Sequence, residues 1–403
     1  MASARDYLVV TASYWGFTLV DGALRMVVLL HFFQLGYPPL TLSFLFLLYE
    51  FAGIVANLAG GWLAVRFGIP RMLVAGQALQ VAGLLLLSAL DPAWSPALSV
   101  AWVVVAQGIA GLAKDFTKTA SKSAIKATAA GGSGQLFRWV AWFTGSKNAM
   151  KGVGFFVGGA LLEAAGFRGA LWLMAGAILA VLLAGATLLP SQLGKAKASR
   201  SMRELFAKSR GVNLLAAARV FLFGARDIWF VVGLPVFLYA AGWRFAEVGA
   251  FLAAWTIAYG GLQATAPRLV TRSADGLSRE VPAARLWAGL LLAVLLPRLG
   301  AGAADVVVVG ALSLFALPFA VNSSLHSYLI LAYAGSEKAA EDVGFYYAAN
   351  ALGRLVGILL SGALYQAGGL MACLLGSGAM LAACWLVTFL LPGAVAGRAP
   401  TTS

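Results

Sequence analysis

Apolar runs of about 20 residues recur along the whole 403-residue chain, separated by short polar links. A run of that length is what an α-helix needs to cross the hydrocarbon core of a bilayer. A bilayer offers the backbone no water, so each run must bond its own amide groups, and we read each as a spanning helix. We place about twelve, at 7–35, 40–66, 70–90, 97–121, 137–164, 167–190, 213–240, 245–270, 285–300, 305–334, 342–367 and 369–391. Only 11% of residues are charged, against roughly 25% in soluble domains. Mean hydropathy is +0.87. The chain is therefore an all-α polytopic membrane protein with no room for a soluble domain of any size.

Short links such as Gly36-Tyr37-Pro38-Pro39 and Asp91-Pro92-Ala93-Trp94-Ser95-Pro96 read as outer turns. The longest polar segment, Pro190 to Asn213, splits the chain into six spans and six. We expect a six-helix half over 1–190, a basic cytoplasmic linker over 191–212 and a second half over 213–403. The halves repeat. At an offset of 206, Asp21 falls on Asp227, Asn57 on Gln263, Leu63 on Leu269 and Arg66 on Arg272. At an offset of 203, Lys151 falls on Arg354, Gly154 on Gly357, and Gly159-Ala160-Leu161 on Gly362-Ala363-Leu364. Two six-helix halves with a site near the midplane is a transporter plan.

The net charge of +14 would suggest a nucleic-acid partner in a soluble protein. Here the cations lie elsewhere. With the N-terminus inside, the run from Lys195 to Arg210 and most other link cations face the cytoplasm, and the outer links keep only Arg168, Arg244 and Arg298. That bias places both termini in the cytoplasm, with membrane lipid as the surrounding partner. The first run is too long for a signal-peptide core and reads as uncut. Cys373 and Cys384 share the last run, so neither a disulfide framework nor a metal site is expected.

The remaining charges interrupt the spans themselves. Asp21 and Arg25 lie in the first, Glu50 in the second, Lys114, Asp115 and Lys118 in the fourth, and Lys147 and Lys151 in the fifth. Arg219, Arg226 and Asp227 lie in the seventh and Arg354 in the eleventh. Each such charge costs about 2.5–3.5 kcal/mol on insertion scales. Four acids do not balance eight cations, and an anionic ligand with more than one negative charge would. Arginine forks suit phosphate, arsenate and carboxylate oxygens, and lysine supplies a point charge. Helical spacing aligns Tyr14, Thr18, Asp21 and Arg25, and likewise Gln107, Gly111, Lys114 and Lys118. Thr144, Lys147 and Lys151 form a third stripe, Tyr347, Asn350 and Arg354 a fourth, and Asn322 and His326 stand one turn apart.

Structural readings stand beside these. Asp21 and Arg25 could be an intramembrane ion pair, and Lys114 could pair with Asp115. Lys118 and Arg219 could snorkel to the interface. His31 lies toward an interface, and His326 sits among Asn322, Ser323, Ser324 and Ser327, a setting for packing as much as for substrate. The glycines at 152, 154, 158 and 159 lie mid-helix after no strand, so they serve helix packing rather than a nucleotide. No nucleophile elbow, Cys-His pair, metal-spaced histidines or phosphate loop is present, so neither an enzyme nor a cofactor is expected.

Two resemblances add to this reading. Gly61-Trp62-Leu63-Ala64-Val65-Arg66-Phe67-Gly68-Ile69-Pro70-Arg71 resembles the major facilitator signature between helices two and three, with Val65 at its acidic position. Four further stretches resemble the bacterial organoarsenical efflux permeases of that superfamily, the ArsJ family. They are Tyr14 to Arg25, Ala113 to Lys118, Thr144 to Phe156 and Phe221 to Phe230. The resemblance covers essentially the whole chain. It implies the major facilitator fold, a monomer in the bacterial inner membrane, and export of 1-arseno-3-phosphoglycerate, which glyceraldehyde-3-phosphate dehydrogenase makes from arsenate.

With spans one, four, seven and ten lining a cavity as that fold implies, Arg25, Lys114, Lys147 and Lys151 would clamp one anionic end and Arg226 and Arg354 the other. Asn322, His326 and Tyr347 would meet the glycerate middle or close the chamber. Asp21, Glu50, Asp115 or Asp227 would pair with the cations when the site is empty, and protonation of one would couple export to proton entry. Three rivals stay open: an importer or exchanger of phosphorylated three-carbon anions, a sensor and a lipid scramblase.

Overall fold

The computed structural model describes residues 4–67, 69–128, 133–189, 209–270, 273, 275–295, 305–334 and 339–393. The side chains of the signature stretch from Gly61 to Phe67, residue 68, the side chain of Thr144 and nearly all of the basic linker lie outside what is described. Among the described residues every regular element is helical. They are α1 (Ala4–Gln34), α2 (Pro39–Phe44), α3 (Leu47–Phe67), α4 (Ile69–Ser88), α5 (Pro96–Thr128), α6 (Ser133–Leu188) and α7 (Arg210–Asp227). A π-helical turn, Ile228–Gly233, leads into α8 (Leu234–Ala240). Then come α9 (Phe245–Leu269), α10 (Glu280–Leu295), α11 (Asp305–Tyr333) and α12 (Ala339–Thr388).

Nine stretches among the described residues are long and apolar enough to span a bilayer. Two of them, Ser146–Leu188 and Asp342–Thr388, run to 43 and 47 residues, about twice the length one crossing needs. Each is broken by glycine in a conformation side chains disfavour: Gly166 at φ 68° in α6, and Gly369 at φ 62° in α12. Each therefore holds two crossings. With α10, shorter at 16 residues but apolar, the count reaches the twelve expected from sequence.

The chain forms two compact units: residues 1–200 with 235–260, and 201–234 with 261–403. Residues 235–260 thus pack with the first unit, so the units are not simply the two sequence halves. The repeat reappears in backbone geometry. Gly166 and Gly369 differ by the same offset of 203. At an offset of 206, Gly36 (φ 83°) and Gly242 (φ 96°) end α1 and α8 in the same way. The amides of Tyr37 and Trp243 reach back to the carbonyls of Phe32 and Leu238, each at 3.1 Å. This is the glycine-dependent closure that satisfies orphan carbonyls at a helix end.

Within the first unit, α1 and α6 run in near-backbone contact. A methyl group on Gly22 would lie 2.6 Å from the Lys151 carbonyl oxygen, and methyls on Gly154 and Gly158 would collide with the carbonyls of Leu19 and Ala23. Gly152 and Gly159 serve the opposite face of α6, where Ala253 and Phe245 of α9 approach. The glycine pattern is helix packing, as expected. In the second unit Gly357 of α12 plays the matching part: its missing methyl would lie 2.7 Å from the Gly224 carbonyl oxygen and 2.9 Å from Asp227 Cβ.

Burial runs opposite to that of a soluble protein. Trp172, Leu314 and Leu386 are exposed, while Asp21, Arg25, Glu50, Asp115, Arg219 and Asp227 are buried. Only an apolar surrounding medium makes that distribution favourable.

Candidate functional site

In the first unit the charged stripe of α1 meets α3 and α5. Gly111 lets α5 approach the backbone of Tyr49, with the missing methyl 2.6 Å from the Tyr49 carbonyl oxygen. Lys114, one turn on, then sets its ammonium 3.9 Å from the Tyr49 ring centroid. The Arg25 guanidinium lies 5.0 Å from the same centroid and 5.1 Å from that of Phe46. Such cation–π contacts hold a charge where water is excluded.

Here the sequence reading needs correction. Arg25 does not pair with Asp21, four residues away on its own helix. Its Nη2 donates to Glu50 Oε1 of α3 at 2.7 Å. Asp21 instead accepts the Tyr49 hydroxyl at 2.5 Å, and among the described residues no cation lies within ion-pair distance of it. Side chains four apart on a helix point the same way, but an adjacent helix offers better geometry. Lys114 does reach Asp115, at 3.8 Å. Lys118 is no simple snorkelling residue: it binds Asp115 at 3.2 Å and donates to Asn57 Oδ1 at 2.8 Å. Lys147 and Lys151 are half-buried on α6. There the Trp15 indole N–H donates to Ser146 Oγ at 2.9 Å, and the Lys151 backbone packs beside Gly22, next to Asp21.

The second unit builds two rungs on α7. Asp227, wholly buried, takes Arg226 at 2.5 Å and Arg354 at 3.2 Å. Gly357 makes this possible, because α12 can sit against Asp227 and send Arg354 across from one turn away. Two turns back, Arg219 forms the other rung. Its Nε donates to Asn350 Oδ1 at 2.9 Å, and its Nη1 to the carbonyl and hydroxyl of Ser323 at 3.0 and 3.1 Å. Arg219 is 4% exposed, so the snorkelling reading fails. Phe223 stands between the rungs, with guanidinium carbons 4.0 Å (Arg219) and 4.9 Å (Arg226) from its ring centroid.

Asn322 and His326 are completely buried on α11. None of their side-chain nitrogen or oxygen atoms has a hydrogen-bond partner among the described residues. Tyr347 is half-buried and packs edge-on against Tyr346, 5.4 Å between centroids. His31 stacks on Phe167 at 4.1 Å. Tyr49 and the role of Arg219 were missed by sequence reasoning. An aromatic in an apolar run carries no signal, and the depth of an arginine depends on its neighbours.

The charges of the spans fall into two sets. Among the charges named, the first unit holds five cations (Arg25, Lys114, Lys118, Lys147, Lys151) against three acids (Asp21, Glu50, Asp115). The second holds three cations (Arg219, Arg226, Arg354) against one acid (Asp227). Among these the cations exceed the acids by two in each unit; Lys114, Lys118, Lys147, Lys151, Arg226 and Arg354 are half-buried, and Glu280 and Asp342 of the second unit are buried acids besides.

Comparison with known proteins gives the class a family name. The family description "Major Facilitator Superfamily" matches residues 7–340, and the chain belongs to that superfamily. It is a membrane transporter. Its fold is similar to that in a crystal structure of the nucleoside transporter NupG, with a TM-score of 0.72 over 96% of this chain and 99% of the other. Sequence identity there is 14%, so the likeness shows fold and not cargo. A search of curated proteins finds no match.

Proposed function

We propose that this transporter exports 1-arseno-3-phosphoglycerate from the cytoplasm, by alternating access and coupled to proton entry. The single observation that carries the reading is the clustering of cations inside the spans of each unit: Arg25 and Lys114 against Tyr49 with Lys118 on Asp115, and Arg226 and Arg354 on Asp227. The cargo is a matching molecule, with an arsenate group at one end and a phosphate at the other. Arg25, Lys114, Lys147 and Lys151 bind one end, Arg226 and Arg354 the other, and Asn322, His326 and Tyr347 meet the glycerate. Resemblance of four charged stretches to organoarsenical permeases supports the same cargo. The protein works as a monomer in the bacterial inner membrane with both termini inside, downstream of glyceraldehyde-3-phosphate dehydrogenase.

The test is arsenate sensitivity of a host lacking other arsenic pumps, with and without that dehydrogenase co-expressed. Protection only with the enzyme supports the ester as cargo. Protection without it points to free arsenate, and protection in neither case refutes the reading. An importer or exchanger of phosphorylated three-carbon anions would have similar clusters. Flux in vesicles of known orientation separates the two.

For coupling, the side-chain contacts favour one of the four acids. Protonating Glu50, Asp115 or Asp227 strands a cation that each now holds, whereas protonating Asp21 breaks no ion pair. We assign the coupling proton to Asp21. Asp21→Asn should keep downhill exchange and lose uphill export. Undiminished uphill export in that variant, or in wild type with the gradient collapsed by an ionophore, removes the assignment.

A further inference from the structure

Arg219, Asn322 and His326 stand apart from the Arg226–Asp227–Arg354 cluster and share an unusual property. Arg219 is a buried guanidinium with no carboxylate within ion-pair distance among the described residues. Its hydrogen bonds go to neutral groups, Asn350 and Ser323, through Nε and Nη1, which leaves Nη2 for another partner. Ser323, which it clasps, follows Asn322 directly on α11. His326 lies one turn further on, three residues past Ser323 on the same helix.

Four polar atoms here, the amide oxygen and nitrogen of Asn322 and both nitrogens of His326, are buried without a partner. Leaving such atoms unpaired costs free energy that mere packing does not return. Unpartnered buried atoms occur elsewhere too, at Gln77 and Gln80 for example; here they stand beside an arginine with no carboxylate partner among the described residues.

Their chemistry specifies what. Arg219 Nη2, the Asn322 amide N–H and the imidazole N–H are donors, and together they suit an oxyanion. Asn322 Oδ1 and the bare imidazole nitrogen are acceptors, and a deprotonated oxyanion oxygen offers them nothing. They need a hydroxyl. We propose that Arg219, Asn322 and His326 form a subsite for a hydroxylated organic anion, with the arginine holding an anionic oxygen and Asn322 and His326 reading a neighbouring hydroxyl. The subsite deepens the anion-export reading and rests on it. It adds Arg219 as the anchor, and it separates a hydroxy acid from inorganic arsenate or phosphate, which lack the carbon-borne hydroxyl.

The experiment measures equilibrium binding to the full chain in nanodiscs, using 3-phosphoglycerate, its analogue lacking the 2-hydroxyl, and inorganic phosphate. Wild type should prefer 3-phosphoglycerate to the deoxy analogue by at least about tenfold, because the analogue leaves buried groups unpaired. Asn322→Leu and His326→Phe should erase that preference without lowering the melting temperature, since each removes polar atoms that had no partner. Arg219→Gln should weaken both organic anions together, and Arg219→Lys should restore part of the loss. Equal binding of the two organic anions by wild type overturns the subsite. So does a preference that survives Asn322→Leu and His326→Phe, or a drop in melting temperature in those variants, which would mark a structural role. A failed preference alongside intact enzyme-dependent arsenate protection sinks the subsite alone. Loss of that protection in the host assay sinks the export reading itself.

Discussion

Asp227→Asn isolates the charge that holds the second unit's main cluster. The substitution keeps the shape of the side chain and an acceptor oxygen for Arg226, and deletes only the negative charge. Asp227 is fully buried, and the side chains of Arg226 and Arg354 are 14% and 18% exposed, so water screens the three charges little. At an effective dielectric constant of 20, opposite charges 4 Å apart attract by about 4 kcal/mol. Removing one partner of a buried pair typically costs about 3–5 kcal/mol, because the other charge stays buried and uncompensated. We expect a loss of that size. Arg226→Gln in the same background removes one of the stranded cations, so the double variant should recover about 2 kcal/mol relative to the sum of the single losses. The assay is equilibrium unfolding of the purified chain in mixed micelles, followed by tryptophan fluorescence. A loss under about 1 kcal/mol for Asp227→Asn, or strict additivity with Arg226→Gln, would refute the claim that this carboxylate neutralises the cluster.

Other outcomes follow from the same geometry. Glu50→Gln should destabilise the first unit by a similar amount, about 3 kcal/mol, by stranding Arg25, while Asp21→Asn should cost under about 1 kcal/mol because Tyr49 can still donate to the amide oxygen; unfolding of the two variants side by side checks the contrast. Gly154→Ala should cost about 1–3 kcal/mol by forcing α1 and α6 apart, whereas Gly176→Ala, with open space around it, should be near neutral. Lys147→Ala and Lys151→Ala should each abolish arsenate resistance while the protein still inserts and folds, and Arg200→Ala in the linker should be silent. Full resistance in both lysine variants would assign those residues to structure.

Much of the fold was legible because a bilayer is a severe solvent. Run length alone gives crossings, and twelve could be counted although α6 and α12 each fuse two of them across a glycine. The internal repeat was legible as well, through Asp21 on Asp227 and Lys151 on Arg354. Pairing was not. Helical spacing placed Asp21 beside Arg25, yet each found its partner on α3, in Tyr49 and Glu50. The reach of a long side chain across a helix interface depends on where small residues let backbones close up, as Gly111 and Gly357 do here.

By itself the sequence determined that the chain is a helical membrane protein with two related halves and charges, mostly cationic, in the middle of its spans, because hydropathy, spacing and charge are local properties that survive without coordinates. Tertiary structure alone decided which carboxylate holds which cation, that Arg219 is buried among neutral groups, and that Asn322 and His326 lack partners. These depend on distances of a few ångströms between residues up to 131 positions apart in sequence. No one-dimensional pattern contains those distances.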